Sequence, residues 1–163
     1  MKSKLAIIVA SWLMVLATMI IIFNFSAETA EESTQTSGGV IKDILETVLP
    51  EEEITDEVVK KFQLPIRKIA HFCIFMLLGF CFANAFKNSL KLKQIFNYAL
   101  SFASVILYAS LDEFHQSFVA NRGPSIKDVL IDSSGGLDGI LIFILMIYVF
   151  NIFKNKTTKK GKE

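Results

Sequence analysis

The sequence is poor in the residues that staple, break or activate a chain: its 163 positions include two cysteines, three prolines and one tryptophan. Two cysteines exclude a disulfide framework, and Cys73 and Cys81 cannot pair with each other. They fall in one predicted helix, where a rise of about 1.5 Å per residue holds their backbones roughly 12 Å apart, beyond disulfide reach. Both read as small apolar packing residues. Pro50 and Pro65 close predicted helical patterns and Pro124 sits in a turn, so the long apolar runs are free of proline. No H-E-x-x-H, no C-x-x-C and no nucleophile elbow occurs, which excludes a reaction carried by one of those local motifs. No internal repeat is found, which argues against the repeat-built transporter folds.

Acids are also scarce in three stretches. The N-terminus carries Lys2 and Lys4, the segment around residues 87–93 carries Lys87, Lys91 and Lys93, and residues 154–163 carry Lys154, Lys156, Lys159, Lys160 and Lys162 against the single acid Glu163. Residues 26–65 have the opposite character, rich in Glu and Asp against Lys42, Lys60 and Lys61. The formal net charge of +1 conceals this segregation and gives no reason to expect a nucleic-acid partner.

What the chain does contain is apolar surface. At 52% hydrophobic residues and a mean hydropathy of +0.48, it is too apolar for an ordinary soluble core of this size. A bilayer core of about 30 Å takes roughly 20 helical residues to cross. Four segments meet that length, at about 5–25, 66–86, 92–111 and 129–153, and they predict a single all-α membrane domain. The first is read as a retained anchor, because its apolar run exceeds a signal-peptide core of roughly 7 to 15 residues and no A-x-A pattern follows it. The lysine distribution predicts both termini and the 87–93 link to be cytoplasmic, with residues 26–65 forming an outer link. Within that link, Val40, Ile41, Ile44, Leu45, Val48 and Leu49, and then Val58, Val59 and Phe62 up to Pro65, recur at helical spacing. They predict two short amphipathic helices on the outer surface, either a resting linker or a lid.

Ionisable groups beside long apolar runs are functional suspects, because they are costly in hydrocarbon. Three groups of them fall at the outer ends of predicted helices. Arg67, Lys68 and His71 open the second span, with Arg67 and His71 on one face. Asp112, Glu113, His115 and Gln116 close the third, where a helical wheel sets Asp112, Glu113 and Gln116 opposite Leu111, Phe114 and Phe118, with His115 at the boundary. Glu113 is open to two readings, a site acid or a solvated one. Arg122 lies in the following turn. Ser125 and Asp128 form the S-x-x-D pattern of a capping box, and Asp132 lies one turn deeper on a face that continues through Gly135, Gly136 and Gly139. Small residues at that spacing admit a close neighbouring helix, which would bring polar partners to Asp132. Asp138 points off that face.

These elements, Phe25-Ser26-Ala27-Glu28, Arg67-Lys68-Ile69-Ala70-His71-Phe72, Asp112-Glu113-Phe114-His115-Gln116-Ser117-Phe118, and Arg122 with Ser125, Asp128, Asp132 and the glycines, together resemble the VanZ-like family of bacterial membrane proteins in order and spacing. The chain departs in its long acidic outer link and in Asp138. The resemblance implies a bacterial plasma-membrane protein contributing to tolerance of teicoplanin-type glycopeptides. Three readings of the polar groups follow. In the first, Arg67, Lys68, His71, Asp112, Gln116, Arg122, Asp128 and Asp132 bind or remodel membrane lipid, a lipid-linked wall precursor or a lipoglycopeptide. In the second, Asp112, His71, Asp132, Glu113 and His115 are acid–base groups, or oxygen and nitrogen ligands, of an intramembrane enzyme. In the third they form a structural network and a partner carries the activity. No cofactor or metal site is assigned among them.

Overall fold

The computed structural model describes residues 2–27, 56–119 and 123–160, together with Gly39, Lys42, Asp43 and Thr47. The described residues form four long helices: α1 (Lys2–Ala27), α2 (Asp56–Ser89), α3 (Gln94–Gln116) and α4 (Ile126–Lys160). Each contains a stretch long and apolar enough to cross a membrane, at Ser3–Ala27, Glu57–Ser89, Gln94–Gln116 and Ile126–Asn155. The chain is a multi-pass membrane protein of all-α class, as the composition and run lengths predict.

The helices run up and down in sequence, with α2 in the middle. It packs against all three others and most extensively against α4, while among the described residues α1 meets α2 and α3 but not α4. The packing inverts the pattern of a soluble bundle. On α1, Ser11, Val15, Thr18, Ile22 and Ser26 form the buried stripe, and Leu5, Leu13, Leu16 and Ile20 face outward. On α3 the buried stripe is Asn97, Ser101, Val105, Ala109, Asp112 and Glu113. Lipid solvates large apolar side chains as well as a protein interior does, so the interior is left to small and polar residues that pack closely or bond across helices.

Glycines set the closest approach. A Cβ on Gly79 would overlap the Gly136 carbonyl, and a Cβ on Gly139 the Met76 carbonyl, while one on Gly135 would overlap the Phe72 carbonyl. The glycine face of α4 therefore lies directly against the backbone of α2, the helix–helix packing expected of that spacing. Aliphatic and aromatic side chains fill the space beside it: Phe75, Leu78 and Phe82 of α2 with Val105 of α3 and Ile22 of α1 form the largest core cluster.

Polar side chains fix α1 at three levels. At one end, Asn84 and Asn88 donate to Ser11 Oγ at 3.0 and 3.1 Å, and Trp12 Nε1 donates to Ser89 Oγ at 2.8 Å. In the middle, Tyr108 Oη donates to the Met19 carbonyl at 2.6 Å. At the other end, Ser26 Oγ donates to Asp112 Oδ2 at 2.8 Å.

Helix boundaries differ from those expected. The second helix starts at Asp56, so the pattern Val58, Val59, Phe62 is its first turns and not a separate surface helix. Pro65 lies inside it. A proline removes one main-chain bond, but Val58, Val59, Phe62 and Ile66 pack into one continuous cluster, which favours an unbroken helix. The third helix runs on to Gln116 and the fourth to Lys160, both beyond their apolar runs. Of the expected amphipathic helix over 40–49, Lys42, Asp43 and Thr47 are helical, with Thr47 Oγ1 donating to the Asp43 carbonyl at 2.8 Å, and its apolar positions lie outside the described residues.

Candidate functional site

The up-and-down order brings the end of α1, the start of the apolar part of α2, the end of α3 and the start of α4 to the same end of the bundle. Each delivers a polar side chain inward. His71 comes from α2, Asp112 from α3 and Asp132 from α4. One potential donor atom of each lies within 4.8 Å of the others. Asp112 and Asp132 are buried and His71 is half-buried.

Asp112 is held in place. Ser26 Oγ donates to its Oδ2 at 2.8 Å and Gln116 Nε2 donates to the same oxygen at 2.9 Å. Gln116 sits one helical turn beyond Asp112 on α3, so it reaches back along its own helix, while Ser26 arrives from α1. Two donors on one carboxylate oxygen fix both the position and the plane of the group.

Asp132 is not held in that way. It is 2% exposed, and its Oδ2 has no hydrogen-bond partner among the described residues. That oxygen faces His71 Nδ1 at 3.6 Å, an ion-pair separation if the imidazole is protonated but too long for a hydrogen bond. His71 stacks in turn on Phe75, with ring centroids 6.4 Å apart. Asp132 reaches this depth because Gly135 and Gly136, the next residues along its face, let α4 come up to the backbone of α2.

The remaining expected residues are arranged around this trio. Lys68 donates to Asp128 Oδ1 and joins α2 to α4 at the rim, so its charge is already matched within the bundle. Half of the expected capping box forms: the Asp128 N–H donates to Ser125 Oγ at 3.3 Å, while the Ser125 N–H goes to Glu113 and not to the Asp128 carboxylate. Arg67 lies half-buried one turn before His71 and is itself engaged. Glu113 is buried, not solvated, and its Oε2 accepts the Ser125 N–H at 2.7 Å, tying the end of α3 to the start of α4. His115 stacks on Phe23 of α1, with centroids 4.4 Å apart and planes 28° from parallel, and it is outside the trio. Asp138 is exposed on α4. Arg122 lies outside the described residues.

Two participants escape reasoning from residue type alone. Ser26 is an isolated hydroxyl at the end of an apolar run, where a serine more often bonds its own helix, as Ser11 does to the Ile7 carbonyl at 2.8 Å. The backbone N–H of Ser125 has no signature in sequence at all. The motif order did point to Ser26.

Chemically, the trio offers one imidazole and two carboxylates in a site shielded by four helices. It can accept hydrogen bonds, move a proton between His71 and Asp132, or ligate a cation. No curated protein and no solved structure matches the chain. A family model described as VanZ/LLP1 matches residues 11–153.

Proposed function

The chain belongs to the VanZ/LLP1 family, and from that premise we propose that it acts in the bacterial cell envelope by holding the polar end of a lipid-borne or amphiphilic ligand at this convergence of helix ends. By binding or remodelling that ligand it contributes to tolerance of teicoplanin-type glycopeptides. The observation that carries this reading is the buried Asp132 Oδ2, without a hydrogen-bond partner among the described residues, on a carboxyl group that clusters with His71 and Asp112 within 4.8 Å. A buried acceptor is rarely left unsatisfied in a finished structure, and a ligand hydroxyl or amide would satisfy it. The same helix ends carry apolar side chains turned outward, including Ile69, Phe118 at 74% and Ile126 at 82% exposed. An acyl chain in the surrounding lipid would lie along these while the head group enters between them. Lys68, already matched by Asp128, takes a smaller part in anion binding than its charge alone would suggest. Arg67 and Arg122 complete the reading as guanidinium groups for phosphate.

A specific observation also favours catalysis. His71 Nδ1 and Asp132 Oδ2 at 3.6 Å form a pair that could tighten around a substrate proton. Incubation of the purified protein with lipid-linked wall precursors separates the two: a modified lipid supports catalysis, and an unchanged but retained lipid supports binding.

The test of the reading uses His71→Gln and Asp112→Asn. Asparagine keeps an oxygen for Ser26 and Gln116, and glutamine approximates the imidazole in reach. Both variants are expected to insert at wild-type levels and melt within a few degrees of the parent, yet to lose protection of a sensitive host in teicoplanin susceptibility assays. Full protection from both inserted variants would overturn the proposal.

A further inference from the structure

We propose that His71, Asp112 and Asp132 form a divalent transition-metal site, with one protein nitrogen, two protein oxygens and at least one coordination position left for an exogenous oxygen. The inference deepens the functional reading above, because the open position faces the ligand proposed there. Metal binding itself is measurable without that reading.

Four observations support it. The first is spacing. Ligands about 2.0 to 2.2 Å from a tetrahedral ion stand about 3.4 Å from one another. The His71 and Asp132 atoms are already 3.6 Å apart, and the whole trio lies within 4.8 Å, so an ion could be clasped by side-chain movements of about an ångström. The second is the Asp132 Oδ2 atom. It is buried, without a hydrogen bond among the described residues, and faces His71 Nδ1 at 3.6 Å, so its lone pairs are available to a cation.

The third is the surrounding support. Metal-bound carboxylates are usually fixed by outer hydrogen bonds, which set their orientation and cost affinity when removed. Asp112 has two such donors, Ser26 Oγ and Gln116 Nε2, both on Oδ2. The fourth is charge. Around the trio, the described helix ends place Arg67, Lys68 and Lys127 against Asp112, Glu113, Asp128 and Asp132. With a neutral imidazole the carboxylates remain in excess by one negative charge, in a setting where uncompensated charge is expensive. A cation between the two carboxylates of the trio offsets it.

The donor set selects the class of ion. One imidazole and two carboxylates suit Zn²⁺, Mn²⁺ or Fe²⁺, whereas all-oxygen shells of six or more suit Ca²⁺, and the lack of a thiolate disfavours Cu⁺. Three protein ligands with an open position is the arrangement of catalytic and substrate-binding zinc, not of closed structural zinc. The open position would accept a phosphate, carboxylate or hydroxyl oxygen of an amphiphile.

The experiment uses the full chain in lipid nanodiscs, stripped with chelator and then equilibrated with Zn²⁺ or Mn²⁺. Elemental analysis should find one equivalent of ion per chain, and the melting temperature should rise with the ion. His71→Gln and Asp132→Asn should each weaken uptake at least tenfold, and Ser26→Ala, which removes only an orienting donor, should weaken it less. Asp138→Asn, at an exposed acid of the same helix, should bind as the parent does. Should the two ligand variants fail to fold, Co²⁺ added to the stripped parent provides the decision: visible ligand-field bands support the site, and their absence overturns it. The proposal also fails if the parent takes up no stoichiometric ion, or if both folded ligand variants take it up unchanged. Intact metal uptake combined with no effect on teicoplanin protection would overturn the functional reading alone and leave the site standing.

Discussion

At the residue scale, the polar positions divide according to how they can be seen. Asp132 and Asp112 stand out in sequence because a carboxylate inside or against an apolar run is costly, and both are buried in the trio. His71 stands out for the same reason. The partners that make them a site are less visible: Ser26 costs little in hydrocarbon when it bonds its own helix, so nothing in its residue type announces a role. Glu113 is ambiguous in sequence because its neighbours are polar, and its burial depends on a backbone N–H of Ser125 that any residue could supply. The glycines are legible as a face but not in rank, since Gly79 lies on a different helix and gains its meaning only opposite Gly136. That contact yields a prediction. In Gly79→Ala the new methyl group meets main chain, which cannot turn aside as a side chain can. The variant should lose about 1 to 3 kcal/mol, the usual range for overpacking, and show a clearly lower melting temperature in detergent. Gly123→Ala, with open space around its Cβ, should stay within about 0.5 kcal/mol of the parent.

At the scale of the element, the number and order of helices follow from four apolar runs, while their ends do not. Hydropathy reports which residues tolerate lipid, whereas a helix continues as long as its main-chain bonds are made and one face finds partners. Helix α3 therefore carries Asp112 to Gln116 past the apolar run, and α2 begins before Pro65 because Val59 and Ile66 share one cluster. The capping pattern at Ser125 and Asp128 is the boundary signal that does fix an end, because it names the atoms that replace missing helical bonds. Asp128 also links α4 to α2 through Lys68, with side chains 30% and 48% exposed. Pairs exposed to that degree contribute little, about 0.2 to 1 kcal/mol. Lys68→Glu and Asp128→Lys should each lower the melting temperature slightly, and the double variant should recover most of the loss. A coupling energy indistinguishable from zero in that double-mutant cycle would show that the pair adds no stability.

For the whole molecule, the segregation of lysines sets a testable orientation. The positive-inside rule predicts that the basic segments stay on the cytoplasmic side, and on that prediction the polar trio would open outward, the face from which the proposed ligand would reach it. A reporter fused after Lys159 should be active as a cytoplasmic fusion, and one inserted near Ser37 should report the exterior; the reverse pattern would place the site on the inner face and remove its access to external ligands. The bundle also has a mechanical property. Helix α1 is apolar nearly all round, and in lipid an apolar helix could turn or slide against its neighbours at little cost. Its hydrogen-bonded contacts at Ser11, Trp12, Met19 and Ser26 are spread over about 22 Å of its length, at the rise of about 1.5 Å per residue. A shift of one residue would turn the helix by about 100° and break all of them together, so they work like the teeth of a key that admits one depth and one rotation. The tooth nearest the site, Ser26, also fixes Asp112, and the alignment of the outermost helix is thereby transmitted to the geometry of the trio at the centre.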